Sequence, residues 1–257
     1  MLPRLGHAWR VFATGLSFAL FGLGGLALRM IVFPLLALCV REPGARQRAA
    51  RATISAAFRA FVGVMRGLGV LRYEVRGLDK LAREGQLILA NHPTLIDTVF
   101  LIAFVPNADC IVKGALTRNP FTGGPVRAAR YICNDRGPEL IDDCIASLRA
   151  GGNLIIFPEG TRTPRGATAE LKRGAANVAV RGERAITPVV ISCEPPTLCK
   201  GDKWWHVPPR QAHFRIEVKD DIGVEAFRQG DTSDVVAARR LTEYLQQFFM
   251  KEGQHHA

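Results

Sequence analysis

Residues 11 to 40, "VFATGLSFALFGLGGLALRMIVFPLLALCV", run for thirty positions with one charge, Arg29. About twenty apolar residues are enough to cross a bilayer core as a helix, so this run restricts the chain more than any other stretch does. A secretory signal would have a shorter apolar region and end at a small-residue cleavage site. Here the run continues into "REPGARQRAAR". Arg29 and Pro34 leave two geometries open: one tilted span, or two shorter helices lying in one leaflet. A helix buried in a protein core is the alternative. Arg41, Arg46, Arg48 and Arg51 follow the run, whereas Arg4 and Arg10 precede it. That excess places the bulk of the chain on the cytoplasmic side.

Charge sharpens the picture. The net charge is +11, and residues 1–70 hold nine arginines, no lysine and a single acid, Glu42. Basic and apolar character in one segment points to an anionic membrane surface. Nothing resembles an aromatic-interleaved RNA motif or zinc-finger spacing, so nucleic acid is not expected as a partner. With 48% hydrophobic residues the chain can bury a sizeable core, and its mean hydropathy of +0.09 is high for a purely soluble protein. The six cysteines (39, 110, 133, 144, 193 and 199) are scattered without CxxC spacing, which suits reduced thiols in a cytosolic compartment and no metal site.

Residues 46–70, "RQRAARATISAAFRAFVGVMRGLGV", place Ile54, Phe58, Phe61, Met65 and Leu68 at helical spacing, with Arg48, Arg51, Arg59 and Arg66 between them. This reads as a basic amphipathic helix, either lying at an interface with guanidinium groups on lipid phosphates or packed on the domain. Residues 1–70 therefore form an N-terminal membrane-associated helical segment, and residues 71–257 a separate α/β domain. Strand-like runs fall at 71–77, 86–91, 108–113, 130–134, 153–158, 186–192 and 213–219, and helical ones at 94–104, 137–150, 170–181 and 233–251, the last started by Asp231 to Asp234. Such alternation argues for an α/β sheet covered on both faces, with ligands at the carboxyl ends of strands. Residues 194–210, "EPPTLCKGDKWWHVPPR", read as a long ordered loop.

Two stretches follow predicted strands. "NHPTLID" (91–97) sets His92 five positions before Asp97. A histidine is well suited to take a proton near neutral pH, and a carboxylate can orient it. By spacing alone, the pair is an ordinary polar helix cap. "FPEGTR" (157–162) ends another strand, with Arg165, Lys172 and Arg173 nearby. A turn with an arginine suits an anion, and a solvated turn is the plain alternative.

Together these stretches resemble the glycerolipid acyltransferase family, the PlsC-like 1-acyl-sn-glycerol-3-phosphate acyltransferases. The family's N-H-x-x-x-x-D signature is matched by Asn91, His92 and Asp97, and its F-P-E-G-T-R signature by Phe157 to Arg162. "IVKGALTRNPFTGGPVRAARYICNDR", ending in Asp135 and Arg136, is similar to the block between them, and "LKRGAANVAV" and "ITPVVI", with Pro188, to those after them. The resemblance covers about residues 72–193.

It implies a glycerol-3-phosphate acyltransferase-like α/β fold with a central mixed, largely parallel sheet flanked by helices. It also implies a membrane-bound enzyme of phospholipid biosynthesis, at the cell inner membrane with its catalytic domain in the cytoplasm. His92 and Asp97 would be catalytic. Asn91, Arg136, Glu159, Gly160, Thr161 and Arg162 would bind the acceptor, the arginines at its phosphate. The partners would be membrane lipid, a lysophospholipid with a free hydroxyl, and an acyl carrier protein or coenzyme A thioester as acyl donor. No cofactor or metal is implied. Two positions depart from the pattern: Ala115 stands where a glutamate is usual and Arg130 where a glycine is. Both lie in the acceptor-recognising block, so a specialised acceptor of the aryl polyene or ornithine lipid type is the alternative to lysophosphatidic acid. A catalytically silent membrane-surface protein is the reading from another class.

Overall fold

A computed structural model describes residues 2–164, 169–228 and 232–254. Seven strands follow one another as β1 (Leu71–Arg76), β2 (Leu87–Ala90), β3 (Ala108–Val112), β4 (Ile132–Cys133), β5 (Asn153–Ile156), β6 (Ile186–Glu194) and β7 (Ala212–Val218). They form one sheet in the order β1-β7-β6-β2-β5-β3-β4. Every pairing is parallel except β6 with β7, so the sheet is mixed and largely parallel. All seven expected strands are present. The fourth shrinks to two residues because Arg130 and Tyr131 go into closing a helix, with Arg130 at φ +53°.

The helices are α1 (Leu2–Ala27), α2 (Phe33–Cys39), α3 (Pro43–Gly67), α4 (Asp97–Phe104), α5 (Ala115–Arg118), α6 (Gly123–Ala129), α7 (Leu140–Arg149), α8 (Gly174–Gly182) and α9 (Asp234–Gln254). The short α5 and α6 have no counterpart in the sequence reading; "TRNPFTGG" breaks any helical period. The expected start of α9 at Asp231 lies outside the described residues, and the helix begins at Asp234.

Strand β2 shows how the sheet is held. Its four residues, "LILA", are all buried, as a central parallel strand covered on both faces requires. Side chains alternate across a strand, so Ile88 and Ala90 join one core, with Phe100, Phe214 and Ile54, while Leu87 and Leu89 join the other, with Leu148, Leu154 and Leu241. The first core lies under α3 and α4, the second under α7, α8 and α9.

The apolar N-terminal run is one nearly continuous helix. A π-helical segment, Leu28–Val32, joins α1 to α2, absorbing Arg29 and Pro34 without a break. Residues 6–39 make 34 helical positions, about 51 Å at 1.5 Å per residue, which exceeds a ~30 Å hydrocarbon core. Nor does the helix stand clear of the domain. Trp9 Nε1 donates to the Leu68 carbonyl at 2.9 Å, Phe21 packs on Phe58 and Phe61 of α3, and Arg29 donates to the Pro120 carbonyl at 3.1 Å. Gly25 permits the closest approach, since a methyl there would collide with the Phe121 carbonyl. Contact from residue 9 to residue 29, roughly 30 Å of helix, lays α1 along the domain.

Helix α3 decides one open alternative. Of the two readings of its arginines, on lipid phosphates or packed on the domain, Arg51 takes the second: it is 5% exposed and pairs with Asp109 of β3 at 2.5 Å. It also donates to the Ala129 carbonyl and to Asn107 Oδ1, and Ser147 of α7 donates to Asp109. The guanidinium faces inward because β3 places a buried carboxylate opposite it, and only the sheet order shows this. Arg48, Arg59 and Arg66 are exposed as expected.

Candidate active site

Strand β2 ends at Ala90, and the chain turns through "NHPTLID" into α4. Asn91 locks this turn to β6: its Nδ2 donates to the Ile191 carbonyl at 2.8 Å and its Oδ1 accepts from the Ile191 amide at 2.7 Å. His92 Nδ1 lies 3.0 Å from Asp97 Oδ2. Asp97 is fully buried, and its carboxylate also accepts from the Thr94 amide at 2.7 Å and the Thr94 hydroxyl at 2.5 Å. Burial pushes the Asp97 carboxyl up from its ordinary value, and the bonds from His92 and Thr94 oppose that rise. An ionised carboxylate only accepts, so Nδ1 carries the hydrogen and Nε2 keeps its lone pair. The imidazole stacks on Phe157 with ring centroids 4.1 Å apart, which fixes its second face.

The second stretch meets the first across the sheet, because β5 pairs with β2. Glu159 is 7% exposed. Its Oε1 accepts from the His92 amide at 3.0 Å, its Oε2 accepts from the Thr163 hydroxyl, and the Thr163 amide donates to the His92 carbonyl at 3.0 Å. Glu159 therefore fixes the backbone of the histidine turn. Burial raises its carboxyl from the ordinary value, against the pull of Thr163 and the His92 amide. Gly160 takes φ +70° and lies against Lys172, where a Cβ would come 2.9 Å from Nζ.

Two cavities lie near the pair. One, of about 370 Å³, is almost wholly apolar, running between α1, α3, α4 and α6 with Leu95 and Leu198 on its wall. The other, of about 550 Å³, is polar, lined among others by Glu159, Thr161, Arg162, Lys172 and Arg173. Asp97 lies between Ile96 and Thr98, which line the apolar cavity, and Glu159 lines the polar one.

The expected arginines fare differently. Arg162 Nη1 donates to the carbonyls of Leu198 and Cys199, bracing the loop after β6 while lining the polar cavity. Arg136 is half-exposed and paired with Glu139 at 3.2 Å and Asp143 at 2.8 Å. Arg165 lies outside the described residues. Lys172 has no acidic partner among the described residues. Thr94 and Thr163 escaped the sequence reading, although Thr94 had a signal: T-x-x-D is capping-box spacing. Among the described residues no group of three or more His, Cys, Asp or Glu side chains comes together to hold a metal.

The chain matches the family model described as Acyltransferase over residues 72–192. It is 31% identical over 140 residues, 51% of this chain and 53% of the relative, to the 1-acyl-sn-glycerol-3-phosphate acyltransferase of Pseudomonas aeruginosa. Against the enzyme of that name from Helicobacter pylori it is 34% identical over 113 residues, 41% of this chain and 48% of the relative. Against that of Saccharomyces cerevisiae it is 31% identical over 147 residues, 52% and 47%. The matched stretches span about half the length of these relatives. The crystal structure of the 1-acyl-sn-glycerophosphate (LPA) acyltransferase, PlsC, from Thermotoga maritima superposes with a TM-score of 0.72 at 16% identity, covering 98% of this chain and 97% of that one. At that identity the likeness speaks for the fold alone.

Proposed function

From the acyltransferase-family domain that residues 72–192 form, we propose that the protein is a membrane-bound O-acyltransferase that moves a fatty acyl group from a thioester to a free hydroxyl of a lysolipid, with lysophosphatidic acid as the favoured acceptor. One observation carries this reading: a histidine oriented by a buried carboxylate, with an apolar cavity lined by Ile96 and Thr98 on either side of that carboxylate and a polar cavity lined by Glu159, which holds the His92 amide. That is the arrangement needed to hold an acyl chain on one side and an anionic headgroup on the other.

His92 Nε2 takes the proton of the acceptor hydroxyl as its oxygen attacks the thioester carbonyl. The Asp97 carboxylate stabilises the imidazolium that forms. The tetrahedral intermediate collapses with loss of the carbon–sulfur bond; an ester remains, and the thiolate leaves with the proton returned from His92. The acceptor phosphate lies in the polar cavity against Arg162, Lys172 and Arg173, whose charges it complements. Arg136 joins only when a ligand draws it from Glu139 and Asp143. The donor is an acyl carrier protein or coenzyme A thioester, and the products are phosphatidic acid and a free thiol. No metal or cofactor takes part, because a thiolate is a good leaving group without one.

The apolar α1–α2 helix lies in the plane of the cytoplasmic leaflet of the inner membrane, since its contacts along the domain leave its outer face for lipid. The test is acyl transfer by the detergent-solubilised protein, offering lysophosphatidic acid and other lysolipids with both donors and His92→Ala as the blank. Turnover of lysophosphatidic acid that disappears in the variant supports the reading. Turnover confined to a different hydroxyl lipid would assign Ala115 and Arg130 to a specialised acceptor. Activity retained in His92→Ala would refute the mechanism.

A further inference from the structure

The three tryptophans of the chain are Trp9, Trp204 and Trp205, two of them in the loop between β6 and β7. All three are about half exposed, at 50%, 44% and 46%, and all gather at one end of α1. Trp204 packs on Gly15, where a Cβ would come 3.0 Å from the indole, and pairs with Phe18 at 6.5 Å. Trp205 stands edge-on to Trp204 at 5.4 Å, while Trp9 pairs with Phe12 at 5.8 Å. Arg10 ties helix to loop through the Pro209 carbonyl at 2.5 Å. The aromatic cluster thus spans residues 9 to 18 of α1, roughly 14 Å of helix.

Cations surround it. Lys203 Nζ sits 5.2 Å from the centre of the Trp205 ring, and Lys200 and Arg210 are exposed in the same loop. Asp202, an acid among them, accepts from the Cys199 amide at 2.9 Å. Beyond Phe18 the exposed face turns aliphatic: Leu20, Leu23 and Leu26 of α1 and Met30 of the π-helical segment are 37–64% exposed, at spacings that keep them on the face that carries Trp9 and Phe12.

We propose that the Pro195–Gln211 loop is a second membrane-contact element, which seats with the start of α1 as an aromatic and cationic belt in the headgroup layer of an anionic bilayer. An indole has an apolar body and a polar edge, so it prefers the interface to either water or hydrocarbon. Lysine and arginine beside it meet lipid phosphates. Bare aliphatic side chains gain most by going deeper. The rings and cations therefore lie at the headgroups, while the aliphatic side chains from Leu20 to Met30 on the lipid-facing side of the same in-plane helix reach toward the acyl chains. Surface this aliphatic, continuous with a charged aromatic rim, matches a lipid bilayer in both composition and charge. The inference rests on the membrane-bound reading above and adds to it a contact from the far end of the sequence.

The test uses tryptophan fluorescence on vesicles of phosphatidylglycerol and phosphatidylethanolamine. In Trp9→Phe only Trp204 and Trp205 emit. Their emission should shift to the blue on vesicles and be quenched more by lipids brominated near the glycerol backbone than by lipids brominated near the chain end. The Trp204→Ala/Trp205→Ala double variant should bind vesicles roughly tenfold or more weakly, since each ring withdraws on the order of 100 Å² from water at the interface, while its turnover in detergent micelles stays at the wild-type level. Vesicle binding by the wild type with no quenching at either depth would overturn the loop's role and leave the membrane reading intact. Absence of vesicle binding by the wild type would overturn both. A loss of micellar turnover matching the loss of binding would show that the loop shapes the active site instead, and would also overturn the proposal.

Discussion

Replacing Asp97 by asparagine separates the charge of the His92–Asp97 pair from its geometry. Asp97 Oδ2 faces two hydrogens, from His92 Nδ1 at 3.0 Å and the Thr94 amide at 2.7 Å, so the amide nitrogen of an asparagine cannot sit there. It must take the Oδ1 position, 2.5 Å from the Thr94 hydroxyl, and that hydroxyl can turn its hydrogen away and accept instead. The asparagine oxygen then keeps both bonds at Oδ2, and with them the orientation and tautomer of His92. What disappears is the negative charge that stabilises the imidazolium. Two unit charges about 4 Å apart, in surroundings of effective dielectric near 20, interact by roughly 4 kcal/mol. Asp97 is fully buried, so water does not screen this. The expected result is a fall in kcat of about 10³-fold with KM and the unfolding midpoint nearly unchanged. Free thiol release from an acyl thioester at saturating acceptor measures it. A variant that keeps more than a tenth of the wild-type kcat would show that no positive charge develops on His92 in the rate-limiting step.

Other perturbations test the frame around the site. Arg51→Ala strands the buried Asp109 carboxylate and should cost about 3–5 kcal/mol in denaturant unfolding, most of it recovered by adding Asp109→Leu; equal losses in the single and double variants would dismiss the ion pair as the cause. The Tyr131 hydroxyl is buried without a partner among the described residues, so Tyr131→Phe should be neutral or stabilising by about 1 kcal/mol, and a clear destabilisation would contradict its unpaired state. Arg83 grips Asp221 through both oxygens, at 2.6 and 2.9 Å, and holds its carboxyl below the ordinary 3.8. A lowered native pKa means that the unfolded chain takes up this proton first on acidification. The stabilisation is thus complete above the ordinary value and fades as pH falls through the lower native one. Asp221→Asn should accordingly lose about 1 kcal/mol at neutral pH, with the gap to the wild type closing below about pH 4; a gap independent of pH would exclude the charge.

The parts of this protein legible in its sequence are those governed by local rules. Strand β2 reads as four apolar residues followed by Asn91, and α4 begins where T-x-x-D places Thr94 against Asp97, whose carboxylate also orients the histidine. The apolar period of 46–70 predicts a helix and its buried positions Ile54 and Met65. That period could not assign Arg51, because the carboxylate it meets lies 58 positions away on β3. Nor could it show Arg162 bracing a loop, since the position of the Leu198 and Cys199 carbonyls depends on the β6–β7 connection. The helices α5 and α6 escaped notice because α6 is held by contacts with α3 and α1, and α5 by packing on α6, rather than by their own period.

Sequence alone determined the long apolar helix, the alternation that makes an α/β sheet, and the closeness of His92 to Asp97, because a turn of five residues cannot separate them far. Tertiary structure decided that Glu159, 67 positions on, fixes the His92 amide, that Asn91 is clamped to Ile191, and that an apolar and a polar cavity open nearby. Those depend on β5, β2 and β6 lying side by side. Strand order is a global result of packing two cores at once, and no local pattern encodes it.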